Sequence, residues 1–225
     1  SGSSHRRSRR RCFCGPRLCS RCLGPSTSLA VAVGRAGQTR HIPPIQAHSG
    51  DEPAPLSYAQ QRLWFLDQLE PGSTAYNMPG AFRLTGRIEI GALQRALKEI
   101  VARHGVLRTH FALIDDEPVQ MVADPDQWSA QVIELAAASP AQQQVRIDQE
   151  VELLYSHVFD LAAGPLFYVK ILVLGEQQYV LLINMHHTVS DGWSNGILMR
   201  ELGMLYDAFA HGRRSPLPDL RIQYT

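Results

Sequence analysis

From residue 55 onward, apolar positions along the chain switch repeatedly between a helical and an extended period. Ser57 is placed to cap a helix over YAQQRLWFLDQL, residues 58–69, which ends before Pro71 and Gly72. Leu63, Phe65, Leu66 and Leu69 are expected to supply most of its buried stripe. Met78–Leu84 reads as a strand. Ile90, Leu93, Leu97, Ile100 and Val101 then recur at helical spacing, predicting a second helix that runs to about His104. Strands are predicted at Leu107–Ile114, Pro118–Val122 and Gln131–Leu135. Ser139-Pro140 opens a third helix with proline in its first turn, running towards His157. Two strongly apolar strands, Phe167–Leu174 and Gln178–Met185, are joined by Gly175-Glu176-Gln177 as a hairpin. A last helix spans about Ser194–Ala210, with Leu198, Leu202, Leu205 and Phe209 as a core stripe.

Helices and strands alternate irregularly and include a hairpin. The pattern predicts a layered α/β (α+β) fold, with a mixed β-sheet flanked by helices rather than a parallel doubly wound one. No internal repeat, Walker loop or dinucleotide fingerprint interrupts it.

Composition divides the chain. Residues 1–50 hold nine Arg, no Asp or Glu, and all four Cys, whereas residues 51–225 hold 13 basic and 21 acidic residues, a formal balance of −8. The acidic part argues against nucleic-acid binding, and its lack of cysteine excludes a disulfide scaffold. No apolar run is long enough for a membrane span. A reduced, cytoplasmic setting is expected. Residues 1–28 read as a disordered, basic, Cys-rich tail or a non-native stretch. Zinc held by Cys12, Cys14, Cys19 and Cys22, or a transit peptide, are alternatives for it. Residues 29–54 read as a Pro-containing linker from an upstream module.

Chemistry concentrates in one place, Asn184-Met185-His186-His187-Thr188-Val189-Ser190-Asp191-Gly192-Trp193-Ser194. The segment begins where an apolar strand ends, a position from which side chains emerge off a rigid scaffold. Alternation puts His186 and His187 on opposite faces, so their roles should differ. An imidazole there suits acyl transfer to an amine or hydroxyl, because it exchanges a proton near neutral pH. Asp191 is placed to orient the imidazole or to pair with a distant Arg. Gly192 permits unusual backbone angles and close approach by a ligand. Structural histidines and a His/His/Asp metal site are the competing readings. Against metal, adjacent ligands on a strand point apart and no third His or Cys lies nearby.

The string HHTVSDG resembles the HHxxxDG signature of the superfamily that includes chloramphenicol acetyltransferase and the condensation domains of nonribosomal peptide synthetases. Ser57–Leu69 resembles the first condensation-domain motif, Arg103–Phe111 the second, and Met185–Ser194 the third. The segments EPGSTAYNMPGAFRLTG, FDLAAGPL and LPDLRIQYT follow in the family's order, although Tyr168 stands where these domains often carry Arg.

The resemblance implies a chloramphenicol-acetyltransferase-like fold and makes residues 55–225 the N-terminal lobe of a condensation domain, truncated before the second lobe of the pair. It implies peptide-bond formation between a carrier-bound aminoacyl or peptidyl thioester and a carrier-bound aminoacyl acceptor, with the isolated lobe expected to be inactive. No cofactor is bound directly; substrates ride on phosphopantetheine of upstream and downstream carrier domains, with an adenylation domain as a further partner. His187, His186, Asp191 and Gly192 form the implied catalytic group. Within it His187 meets the attacking amine, His186 gives structural support, and Asp191 forms a structural ion pair with Arg62. Trp193 and Ser194 are the candidate substrate-binding residues, and Arg103 and Arg108 the candidates for structural pairing or phosphate contact. A complete single-lobe acyltransferase using coenzyme A and a non-catalytic docking module are the alternatives. Cyclisation relatives replace the first His with Asp, which this chain does not; epimerisation stays open.

Overall fold

The computed structural model describes residues 52–224. The tail at 1–28, its thiols, and the linker up to residue 51 lie outside the described residues. The element order is β1 (Ala54–Pro55), α1 (Tyr58–Leu69), β2 (Gly80–Thr85), α2 (Ile90–Arg103), β3 (Thr109–Ile114), β4 (Glu117–Val122), β5 (Gln131–Glu134), α3 (Pro140–Tyr155), β6 (Phe167–Gly175), β7 (Gln178–Met185) and α4 (Gly192–Ala210). Short 3-10 turns at Gly105–Arg108 and Pro125–Gln127 complete it.

The strands divide between two sheets rather than one. A four-stranded sheet has the order β2-β7-β6-β5, antiparallel except for the parallel β5–β6 pair, and β1-β4-β3 form a small antiparallel sheet. Residues 107 and 108, expected to start β3, belong instead to the 3-10 turn.

Period-two alternation on β6 and β7 builds the layers. Phe167, Val169, Ile171, Leu181, Ile183 and Met185 pack on Leu93, Leu97 and Ile100 of α2 and on Leu198, Leu202 and Leu205 of α4. The intervening Leu172, Leu174, Val180 and Leu182 pack on Ile147 and Leu154 of α3. Both central strands are therefore buried on both faces, which explains their near-continuous apolar sequences. Phe209, at the end of the α4 stripe, packs partly against this core and lies under the Arg95 guanidinium at 4.6 Å.

Helix α1 departs from its expected stripe. Leu63 and Leu66 are half-buried, Phe65 and Leu69 are exposed, and Gln60 alone is buried along the helix. Polar bonds hold the helix alongside Trp64, which packs partly against the cluster of Leu56, Phe111 and Val189. Ser57 and Gln60 form a capping box. The Gln60 amide donates to Gln120 Oε1 at 3.2 Å and to the Thr188 carbonyl at 3.4 Å. Gln120 in turn donates to the Pro55 carbonyl at 2.9 Å. This chain of amides ties α1 and the small sheet to the loop that follows β7. Among the described residues no helix is long and apolar enough to cross a membrane.

Candidate active site

β7 delivers the two histidines, and the backbone holds them in place. His186 N–H donates to the Leu166 carbonyl at 3.1 Å, and His187 N–H to the Tyr76 carbonyl at 2.9 Å. The segment before β2 thus runs along the continuation of β7, with Asn77 bridged to His186. The side chains then diverge. His186 is buried, edge-on to Tyr76 and Phe159 with ring centroids 6.3 and 6.1 Å away. Its Nδ1 accepts the Thr188 backbone N–H at 3.3 Å and lies 2.9 Å from the Thr188 hydroxyl. Burial first, and the adjacent His187 second, push its pKa down to about 4. At neutral pH this ring is uncharged, with its Nδ1 occupied as an acceptor.

His187 is exposed and lines a cleft of about 590 Å³. Ala59, Arg62 and Leu63 of α1 line it together with Tyr76, Val106 and Tyr224, and Ser190, Asp191 and Ser194 line it beyond His187. A smaller cavity of about 220 Å³ is lined by His186 with Asp67, Glu70 and Tyr76, so Tyr76 borders both spaces. Burial, and then the charge of Asp160, raise the pKa of Asp67 beside that smaller cavity.

Asp191 acts locally. It is the N-cap of α4: its Oδ1 accepts the Ser194 N–H at 2.8 Å and the Ser194 hydroxyl at 2.7 Å. The Ser194 hydroxyl, then the Ser194 backbone N–H, hold its carboxyl below the usual carboxylate range. Among the described residues it makes no ion pair with Arg62, although both border the cleft, so the expected pair is replaced by a helix cap. The reason is distance along the chain. A carboxylate three residues ahead of a free helix N–H has a partner within its own turn.

Gly192 likewise departs from its expected role in shaping the loop. It is not among the glycines with positive φ, and an added Cβ would meet nothing within 4 Å. It opens α4 in ordinary helical geometry, so loop shape does not require glycine there. Trp193 is 82% exposed and does not line the cleft, whereas Ser194 does. Arg103 lies 3.4 Å from the buried carboxylate of Glu201, which His104 meets at 2.7 Å. Arg108 donates to the Ala123 carbonyl at 2.5 Å. Both arginines are thus engaged structurally. Tyr168 stacks on His157 at 4.9 Å, with the Lys170 ammonium 5.3 Å from its ring.

Sequence reasoning assigned no role to Tyr76, Gln60, Gln120 or Tyr224. Gln60 stood inside the first motif, but a glutamine on a helix gives no sign that it will be buried. Tyr76 and Tyr224 lie in segments without periodicity.

Residues 51–225 match the Condensation domain family, and the chain belongs to it. It is 43% identical over 207 residues to malpinin synthetase of Mortierella alpina, a match covering 90% of this chain and 3% of that protein. It is 37% identical over 171 residues to phosphinothricin tripeptide synthetase PhsB of Streptomyces viridochromogenes, covering 76% of this chain and 14% of the relative. The chain therefore spans a small fraction of the curated relatives it matches. Among solved structures, the starter condensation domain of rhizomide synthetase RzmA superposes with a TM-score of 0.66 at 27% identity, over 75% of this chain and 41% of that one. The mixed α/β, chloramphenicol-acetyltransferase-like lobe expected from the motifs is the fold observed.

Proposed function

We propose that this chain supplies the His187-bearing lobe of a domain that forms peptide bonds between two carrier-tethered thioesters, in a cytoplasmic nonribosomal peptide synthetase. Upstream and downstream carrier domains, an adenylation domain and a second lobe of the same domain are its proposed partners. The observation that carries the reading is the division of labour in the His-His pair: one ring buried and neutral, the other exposed on the wall of a 590 Å³ cleft.

The α-amine of the acceptor attacks the donor thioester carbonyl. The C–N bond forms, the amine proton passes to or towards His187, and collapse of the tetrahedral intermediate breaks the C–S bond, the donor's sulfur leaving as the thiol once it takes up that proton. Phosphopantetheine supplies the thiol and the reach of the arm; it belongs to the substrates. Apolar Ala59, Leu63 and Val106 beside the polar His187, Ser190 and Ser194 suit such an arm. Much of the barrier is removed by holding the two tethered reactants together, and a positioned base contributes a further factor of roughly 10²–10⁴. The test is single-turnover transfer in a synthetase carrying this domain, with donor and acceptor carriers loaded. Wild type should place the dipeptide on the acceptor carrier, and His187→Ala should slow that step by roughly 10²–10⁴-fold with unchanged thermal stability. Equal rates for the two proteins would overturn the proposal. Transfer from a free acyl-coenzyme A to a small amine without carriers would favour a single-lobe acyltransferase.

A further inference from the structure

After α4 the chain turns back without regular secondary structure and passes the C-terminal end of α2. Three side-chain bonds fasten it there. Arg103 donates to the Pro218 carbonyl at 2.5 Å. The Gln223 amide uses both its ends: Nε2 donates to the Arg103 carbonyl at 2.9 Å, and Oε1 accepts the Gly105 N–H at 3.0 Å. Arg103 is itself steadied by the carboxylate of Glu201 on α4, which also receives His104. The anchor is therefore tied into both core helices. The residue it sets is Tyr224, which lines the His187 cleft and whose hydroxyl lies 3.1 Å from Ser57 Oγ.

Tyr224 is exposed where it lines the cleft. Ser57 Oγ already accepts the Gln60 N–H as helix cap. Either hydroxyl can donate within this pair; with Ser57 donating to Tyr224, the phenolic proton is left for an acceptor in the cleft. We infer that Tyr224 is a substrate-contacting residue of the His187 cleft, hydrogen-bonding a carbonyl or amide oxygen of the thioester substrate, and that Gln223 is the positioning residue that seats it. This rests on the acyl-transfer reading of the cleft.

The experiment measures kcat and KM for alanyl-pantetheine thioester as acceptor, in a synthetase carrying this domain with its donor carrier loaded. A contact made equally in the bound substrate and the transition state acts on KM. Tyr224→Phe, which deletes one oxygen, should raise KM about fivefold with kcat within twofold, the scale of one neutral hydrogen bond. Tyr224→Ala should raise it further. Gln223→Ala should approach the effect of Tyr224→Ala. Gln223→Glu keeps the acceptor for Gly105 N–H and should recover part of the loss. Thermal melts on each variant separate lost seating from lost folding. A KM within twofold of wild type for both Tyr224 variants would overturn the contact, and Gln223→Ala behaving as wild type would overturn the anchor. His187→Ala is run in parallel. If it turns over as fast as wild type, or if wild type forms no amide, the acyl-transfer reading falls and takes this inference with it. If His187→Ala is impaired while Tyr224→Phe is not, only this inference falls.

Discussion

His186 and His187 share a peptide bond and almost nothing else: the first is 3% exposed with its Nδ1 bound at Thr188, and the second opens onto a cleft. The division follows from strand alternation continued one step past β7, with Tyr76 and Asn77 pairing against the extension. A buried neutral imidazole beside an exposed one also keeps a second positive charge away from His187, as the role proposed for that ring requires.

That pair predicts a pH dependence of stability. His186 has a folded pKa of about 4 against an ordinary 6.5, so the unfolded chain binds the extra proton first as pH falls. Its contribution is fully present above pH 6.5, is lost between 6.5 and about 4, and levels off below. Burial lowers the pKa of His157 as well, with Lys170 adding to it, so the two histidines act in the same direction. Melting temperatures from pH 8 to 4 should therefore fall across this window, and His186→Asn should flatten the slope. An unchanged slope in that variant would show that His186 is not the titrating group.

Asp191 is expected to matter through its helix. Asp191→Ala removes the cap of α4 and should destabilise the protein by about 0.5–2 kcal/mol, while Asp191→Ser or Asp191→Asn should retain most of the stability. Chemical denaturation of the three variants checks this. A loss of about 3–5 kcal/mol for Asp191→Ala, the scale of a buried ion pair broken one-sidedly, would restore the pairing with Arg62.

Gly192→Ala separates shape from access. With no positive φ and no neighbour within 4 Å of an added Cβ, the substitution should alter stability by less than about 1 kcal/mol. A melt within a few degrees of wild type, accompanied by a raised KM, would place the importance of glycine in substrate access.

The buried carboxylate on the far face of the sheet should be the most sensitive charge in the molecule. Glu150 on α3 is 1% exposed and accepts Lys170 and Arg146, each at 2.6 Å. Burial pulls the Lys170 ammonium down, but its bonds to Glu150 and to Tyr168 outweigh that and raise its pKa. Removing Glu150 strands Lys170 on β6. Glu150→Ala should cost about 3 kcal/mol, the lower end for a broken buried pair because Lys170 keeps some solvent. Glu150→Ala with Lys170→Met should recover part of it; denaturation of the single and double variants tests the coupling.

Local pattern alone carried much of this molecule. The apolar stripes of α2 and α4, the hairpin of β6 and β7, and the caps at Ser57 and Ser139 are all legible because they depend on residues within one turn or one strand. HHxxxDG at the end of an apolar strand located the candidate site for the same reason. What pattern could not decide depends on partners distant in the chain. The apolar residues Phe65 and Leu69 on α1 look like core residues until the fold leaves them exposed, while polar Gln60 is drawn inside by Gln120 and Thr188. Arg62 and Asp191 suggest a pair by charge, yet capping offers Asp191 a nearer partner. Tyr224 borders the cleft in a segment whose side-chain bonds, those of Gln223 among them, reach backbone groups more than a hundred residues away. Periodicity reports which face of an element is apolar; only the tertiary structure decides what that face meets, because burial and hydrogen-bond satisfaction are properties of the assembled neighbours.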